Sequence, residues 1–144
     1  MKHYGRARNR KYPGTCLDHL QRDTAHHGST YFLGQYPCHG DLGDSQYFSI
    51  SANNEMRNEY MCGEARKDGD VDKMAMYTCH GAKGNQLWSY DKAGGMVRHE
   101  STGLCMSVAG EKAGDDVILV KCDSSDLGQQ WDWDYDQPRQ PPEP

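Results

Sequence analysis

Three cysteine pairs, each followed by a Gln-x-aromatic triplet, divide this chain into an internal repeat. The first unit contains Cys16-Leu17-Asp18, Tyr36-Pro37-Cys38-His39-Gly40 and Gln46-Tyr47-Phe48. The second contains Cys62-Gly63-Glu64, Tyr77-Thr78-Cys79-His80-Gly81 and Gln86-Leu87-Trp88. The third contains Cys105-Met106-Ser107, Val120-Lys121-Cys122-Asp123 and Gln129-Gln130-Trp131. Leading cysteines recur after 46 and 43 residues, and the triplets after 40 and 43. A period near forty implies a ring or stack of equivalent units, so any binding site can occur up to three times.

At 144 residues the chain fits one domain. Only 35% of it is hydrophobic, so the core is modest and cross-links should matter. Six cysteines in regular pairs fit a disulfide framework in an oxidising compartment. Six cysteines permit about 15 pairings. The repeat favours the one that stays within units: Cys16–Cys38, Cys62–Cys79 and Cys105–Cys122. Each such loop is worth about 3 kcal/mol in the chain-entropy model.

Between the ends there is no sustained helical period. Short apolar stretches (Tyr31–Leu33, Tyr47–Ile50, Met74–Tyr77, Met96–Arg98 and Val117–Val120) alternate with Gly, Asp, Asn and Ser clusters. That pattern predicts an all-β, closed architecture with about four strands per unit. Asp68-Gly69-Asp70-Val71-Asp72 reads as a hairpin turn, although it looks superficially like a calcium loop. The Gln-x-aromatic triplets read as core: the ring buries apolar area and the Gln satisfies buried backbone groups. Leu17 and Met106 read as core as well. Residues 1–12 form a linker and opening strand, 13–135 the repeated domain (units near 13–55, 56–97 and 98–135), and 136–144 a Pro-rich disordered tail.

The net charge is −5 and unevenly spread, basic in Lys2, Arg6, Arg8, Arg10 and Lys11 and acidic in the last third. The sign argues against a nucleic-acid partner. No apolar run is long enough to span a bilayer, and no secretory h-region is present. The expectation is therefore a module of a longer protein that carries its targeting signal elsewhere. There is no Cys-x-x-Cys pair or His-x3–5-His spacing for zinc. An oxidised sulfur in Cys38-His39 or Cys79-His80 is no nucleophile, so no catalysis is expected of this chain alone.

These residues resemble a ricin B-type lectin domain, a β-trefoil of three repeats. More narrowly, they resemble the C-terminal lectin domain of polypeptide N-acetylgalactosaminyltransferases. The general signal is the Gln-x-Trp pattern. The narrower one is Cys16–Asp18 followed by Cys38–Gly40, the opening segment Tyr4–Asn9, and the run from Cys79 to Trp88. The resemblance covers roughly residues 3–135. It implies a sugar site in which an Asp after the first cysteine accepts hydroxyl hydrogen bonds. An aromatic two residues before the second cysteine stacks on the ring, while a His after that cysteine and an Asn before the Gln complete the rim. The chemistry is sensible in itself, since an ionised carboxylate makes charge-assisted bonds and a flat ring matches an apolar sugar face.

On that pattern the first unit supplies Asp18, Tyr36 and His39, with Ser45 at the Asn position and Asp44 as a substitute contact. The second supplies Tyr77, His80 and Asn85, with Glu64 replacing Asp and extending the carboxylate by one methylene. The third has Ser107, Val120, Asp123 and Gly128 and fails at all four positions, so it is read as structural. The first pocket is expected to bind best and the second to compete with it. The first unit's cysteines are 22 apart against 17 in the others. The extra residues form a polar loop carrying His19, Arg22, Asp23, His26 and His27, which is expected either to be a solvated surface loop or to contact peptide or a catalytic domain and tune acceptor choice.

The resemblance implies a binding module for N-acetylgalactosamine (GalNAc) O-linked to Ser or Thr of mucin-type glycopeptides. It implies a parent transferase of the Golgi lumen, anchored as a type II membrane protein, whose separate catalytic domain uses UDP-GalNAc and Mn2+. No cofactor, metal or membrane contact is expected of this chain. Two alternatives remain: a galactose-binding module of a toxin or glycosidase, and a protein-interaction trefoil without sugar binding.

Overall fold

The computed structural model describes residues 3–19, 31–39, 45–58, 61–81 and 84–136. Four strands come from each repeat. The first contributes β1 (His3–Asn9), β2 (Thr15–Asp18), a third strand broken into β3 (Tyr31–Phe32) and β4 (Gly34–Pro37), and β5 (Phe48–Ile50). The second contributes β6 (Met56–Asn58), β7 (Met61–Asp68), β8 (Val71–Thr78) and β9 (Trp88–Asp91). The third contributes β10 (Met96–His99), β11 (Leu104–Ser107), β12 (Ile118–Lys121) and β13 (Trp131–Asp136). All pairings between these strands are antiparallel, and the last strand, β13, closes onto the first, β1. The result is a β-trefoil. Every apolar stretch read from the sequence lies in or beside a strand. The tail beyond Asp136 falls outside the described residues.

The opening strand is integral to the domain. Tyr4 and Ala7 are buried, and β1 pairs with β2, β5 and β13. Its position also accounts for the uneven charge. Arg6 reaches Asp134 at 2.8 Å and Arg10 reaches Asp132 at 2.9 Å, so the basic start and acidic end of the chain neutralise each other across one strand pair.

The repeat is visible in the core. Phe48, Trp88 and Trp131 occupy equivalent places and are fully buried, as are Leu17 and Met106. The indole of Trp88 donates to the Gly63 carbonyl at 2.8 Å and that of Trp131 to the Met106 carbonyl at 3.0 Å, whereas Phe48 fills its place without a donor. Units are stitched by the next inward residues. Trp133 donates to the Phe48 carbonyl and the Tyr90 hydroxyl to the Trp131 carbonyl. At the pseudo-threefold axis, the equivalent residues Leu33, Met74 and Val117 are all fully buried. There the Leu33 amide donates to Met74, and the Val117 amide to Leu33. The disulfides are Cys16–Cys38, Cys62–Cys79 and Cys105–Cys122, one within each unit. Asp68 and Val71 pair across the two-residue Gly69-Asp70 turn, with Gly69 at φ +65°, a glycine-favoured hairpin geometry.

His99 is buried against Trp88, with ring centroids 4.8 Å apart. Its Nε2 donates to the Asn85 carbonyl and its Nδ1 accepts from the Thr102 hydroxyl, both at 2.8 Å. Burial lowers its pKa below the ordinary 6.5. The native state therefore binds fewer protons at this site than the unfolded chain just below pH 6.5. Its stabilisation is complete above that pH and falls as pH drops through 6.5 toward the depressed native value. Thermal melts of wild type and His99→Gln should converge as pH falls from 7.5 to 5. Parallel curves would contradict this account.

Candidate functional site

In the first unit, register decides which side chains meet. Cys16 is opposite Tyr36 and Asp18 opposite Gly34, so Asp18 and Tyr36 share one face of the β2–β4 ladder. Gly34, directly opposite Asp18, contributes no side chain to that face. Asp18, Tyr36, His39 and Ser45 together line a depression of about 330 Å³. The four residues chosen from sequence are thus brought together. Tyr36 is 47% exposed, as an aromatic platform must be, whereas Asp18 is 3% exposed. His39 Nε2 stands 3.9 Å from Asp18 Oδ2. The Ser45 carbonyl accepts from the His19 amide at 2.8 Å, which ties the rim to the end of β2.

His19 itself is buried. It stands just past β2, where the long loop begins, and residues 20–30 of that loop lie outside the described residues. Arg22, Asp23, His26, His27 and Asp44 lie outside the described residues.

Gln46, recognised in the sequence as a core residue, also builds the site. Its amide nitrogen donates to Asp18 Oδ2 at 3.0 Å and to the Pro37 carbonyl at 2.9 Å. Its oxygen accepts from the His39 amide at 3.0 Å. One buried side chain thereby fixes the carboxylate and the backbone beneath the His. Arg6 completes the clamp by donating to the His39 carbonyl at 2.6 Å. Sequence reasoning missed Arg6 as part of the site, because its partner is 33 residues away.

The same clamp recurs. Gln86 donates to Glu64 Oε1 at 3.1 Å and to the Thr78 carbonyl, and accepts from the His80 amide. Gln129 donates to the Lys121 carbonyl and accepts from the Asp123 amide. Ser107 offers it no carboxylate, and its further contact is Asp126 at 3.4 Å.

Three of the second-unit residues are engaged by neighbouring residues of β7. Glu64 is 4% exposed and its Oε2 pairs with Arg66. Tyr77 is 41% exposed, but the Arg66 guanidinium lies over its ring, 5.8 Å from the centroid. The Asn85 amide donates to the Ala65 carbonyl at 2.9 Å. His80 is exposed. The sequence placed these four residues in a site but gave no notice of Arg66.

The third unit has a wider depression, about 840 Å³, lined among others by Ser107, Ile118, Val120 and Asp123. Volume alone would favour it. Its chemistry does not: no aromatic lines it, and Ile118 stands opposite Ser107 where the first unit has Gly34. Asp123 is held in its own turn by the Ser125 hydroxyl and amide, which depress its pKa. Among the described residues, no group of three or more His, Cys, Asp or Glu is placed to hold a metal ion. None of their helices is long and apolar enough to cross a membrane.

Comparison with known proteins agrees with this geometry. Residues 3–131 match the ricin-type beta-trefoil lectin domain, and the chain belongs to that family of carbohydrate-binding modules. It is 34% identical over 119 residues to the Caenorhabditis elegans protein described as "Probable N-acetylgalactosaminyltransferase 9", covering 82% of this chain and 19% of that protein. It is 30% identical over 129 residues to polypeptide N-acetylgalactosaminyltransferase 8 of Drosophila melanogaster, covering 85% of this chain and 20% of that protein. The crystal structure of GalNAc-T7 with UDP, GalNAc and Mn2+ superposes with a TM-score of 0.72 at 23% identity, over 92% of this chain and 22% of that one. The chain thus spans about a fifth of the length of these transferases and corresponds to their lectin region.

The clamp yields a paired prediction. Gln46→Glu and Gln129→Glu should each cost about 1–3 kcal/mol in denaturant unfolding, because each leaves a buried acceptor without its donor. Only Gln46→Glu, which sets a second carboxylate against Asp18, should weaken sugar binding, by about tenfold or more. Equal effects of the two on binding would refute the assignment of the site to the first unit.

Proposed function

We propose that this chain is a lectin module that binds GalNAc O-linked to Ser or Thr of mucin-type glycopeptides through its first repeat. The observation that carries the reading is the convergence of Asp18, Tyr36, His39 and Ser45 on one depression. In this reading Asp18 accepts two sugar hydroxyls. Tyr36 stacks on the apolar ring face, and His39 and Ser45 border the polar edge. Few fixed polar groups in a shallow pocket give specificity with modest affinity.

The similarity to transferases supports a parent polypeptide GalNAc-transferase in the Golgi lumen, anchored as a type II membrane protein. UDP-GalNAc and Mn2+ would be handled by its separate catalytic domain. Holding one glycosylated residue raises the effective concentration of neighbouring acceptors at that domain, so weak binding by the module suffices to direct glycosylation. The long first-unit loop would face the peptide part of the ligand or the catalytic domain.

The experiment is calorimetric titration with a GalNAc-Thr peptide and, separately, with free galactose. Wild type should bind the glycopeptide better than galactose. Asp18→Ala should lose about tenfold to a hundredfold, the worth of charge-assisted hydrogen bonds of roughly 1.5–3 kcal/mol. Preference for free galactose would favour a galactose-binding module of another protein. No binding of either ligand would leave a protein-interaction trefoil.

A further inference from the structure

The first two units share a carboxylate, a tyrosine and a histidine in register, yet they differ in what already occupies the space between them. On β7, Glu64 and Arg66 are two residues apart and project from the same face of the ladder. Across the ladder, Cys62 is opposite Tyr77, Glu64 opposite Ala75, and Arg66 opposite Lys73. Ala75 therefore lies between Arg66 and Tyr77, and its methyl group is too small to keep an extended side chain from lying back along the strand. Arg66 does lie back. Its Nη2 pairs with Glu64 Oε2, and its guanidinium carbon sits 5.8 Å from the centre of the Tyr77 ring.

These overlap the two contacts a bound sugar would make, a donor to the carboxylate and a group over the aromatic face, although the ring stays 41% exposed. A planar guanidinium offers both at once, since it forks donors to carboxylates and stacks on rings. Asn85 is also engaged, donating to the Ala65 carbonyl of β7. In the first unit, among the described residues, no arginine or lysine is paired with Asp18; its contacts are Gln46 and the more distant His39 ring.

We propose that Arg66 is a built-in plug that holds a latent second GalNAc site closed, so that the chain is monovalent although two of its repeats carry sugar-site chemistry. This rests on the reading that the first-unit constellation binds GalNAc. The plug is intramolecular and competes at a high effective concentration, whereas a weakly bound sugar must displace it from solution. If the side chain is withdrawn one-tenth of the time, affinity for the second site falls about tenfold, since apparent affinity scales with the competent fraction. The extra methylene of Glu64 suits this role, because one oxygen meets Gln86 while the other meets Arg66.

The test is titration of a GalNAc-Thr peptide into wild type, Asp18→Ala, Arg66→Ala and the Asp18→Ala/Arg66→Ala double variant, each first checked for a cooperative melt. Arg66→Ala should raise the stoichiometry from one to two. The double variant should bind at least tenfold more tightly than Asp18→Ala, and adding Tyr77→Ala should abolish that gain. Should Arg66→Ala melt without cooperativity, Arg66→Gln supplies an uncharged side chain too short to cover Tyr77, and the same gain is expected from it. A double variant no better than Asp18→Ala, or a gain that survives Tyr77→Ala, overturns the plug and leaves the first-unit reading intact. Binding by Arg66→Ala with none by wild type would overturn the first-unit reading and support the plug. Absence of binding throughout would overturn both.

Discussion

A buried glutamine amide, used three times, is the contact on which the rest of this molecule depends. Gln46, Gln86 and Gln129 each donate to the carbonyl before a unit's second cysteine and accept from the amide after it. A single planar group thus satisfies a donor and an acceptor that the disulfide-anchored turn cannot pair with a strand. Buried backbone groups left without partners would cost more than the bonds themselves contribute, so this position tolerates little change. The aromatic two residues later then fills the centre of its unit. Fold and site are consequently built from the same triplet.

The three units differ at the remaining valence of that amide. In the first unit it holds Asp18, opposite Gly34; in the second it holds Glu64, whose other oxygen belongs to Arg66; in the third it finds Ser107 and turns to Asp126. One scaffold therefore presents a carboxylate bound to its glutamine, a carboxylate shared with an arginine, and a position with no carboxylate. The third unit contributes its disulfide, its core tryptophan and the strand that closes the barrel, and those are sufficient reasons for its presence in a three-unit ring.

The fold was legible in the sequence because repetition amplifies weak local signals. No single stretch such as Met96–Arg98 identifies a strand, but three cysteine pairs and three triplets at one period constrain pairing and closure together. The grouping of Asp18, Tyr36, His39 and Ser45 came from the family resemblance, and the four do line one depression. What escaped were long-range and side-chain events. Arg6 reaching the His39 carbonyl depends on strand closure, and Arg66 folding back over Ala75 depends on a rotamer that no spacing rule encodes. His19 is likewise buried, with its amide bonded to the Ser45 carbonyl, which the polarity of the loop that it begins did not indicate.

The central claim is that three equivalent frames carry one working sugar site. The backbone amides of His39, His80 and Asp123 are equivalent reporters, because each is clamped by its own glutamine. The decisive measurement is an amide chemical-shift titration of isotopically labelled chain with a GalNAc-Thr peptide. The account predicts that His39 and its neighbours shift in a saturable manner while His80 and Asp123 stay in place. Shifts that begin at His80 or Asp123, or that move all three amides together, would contradict it.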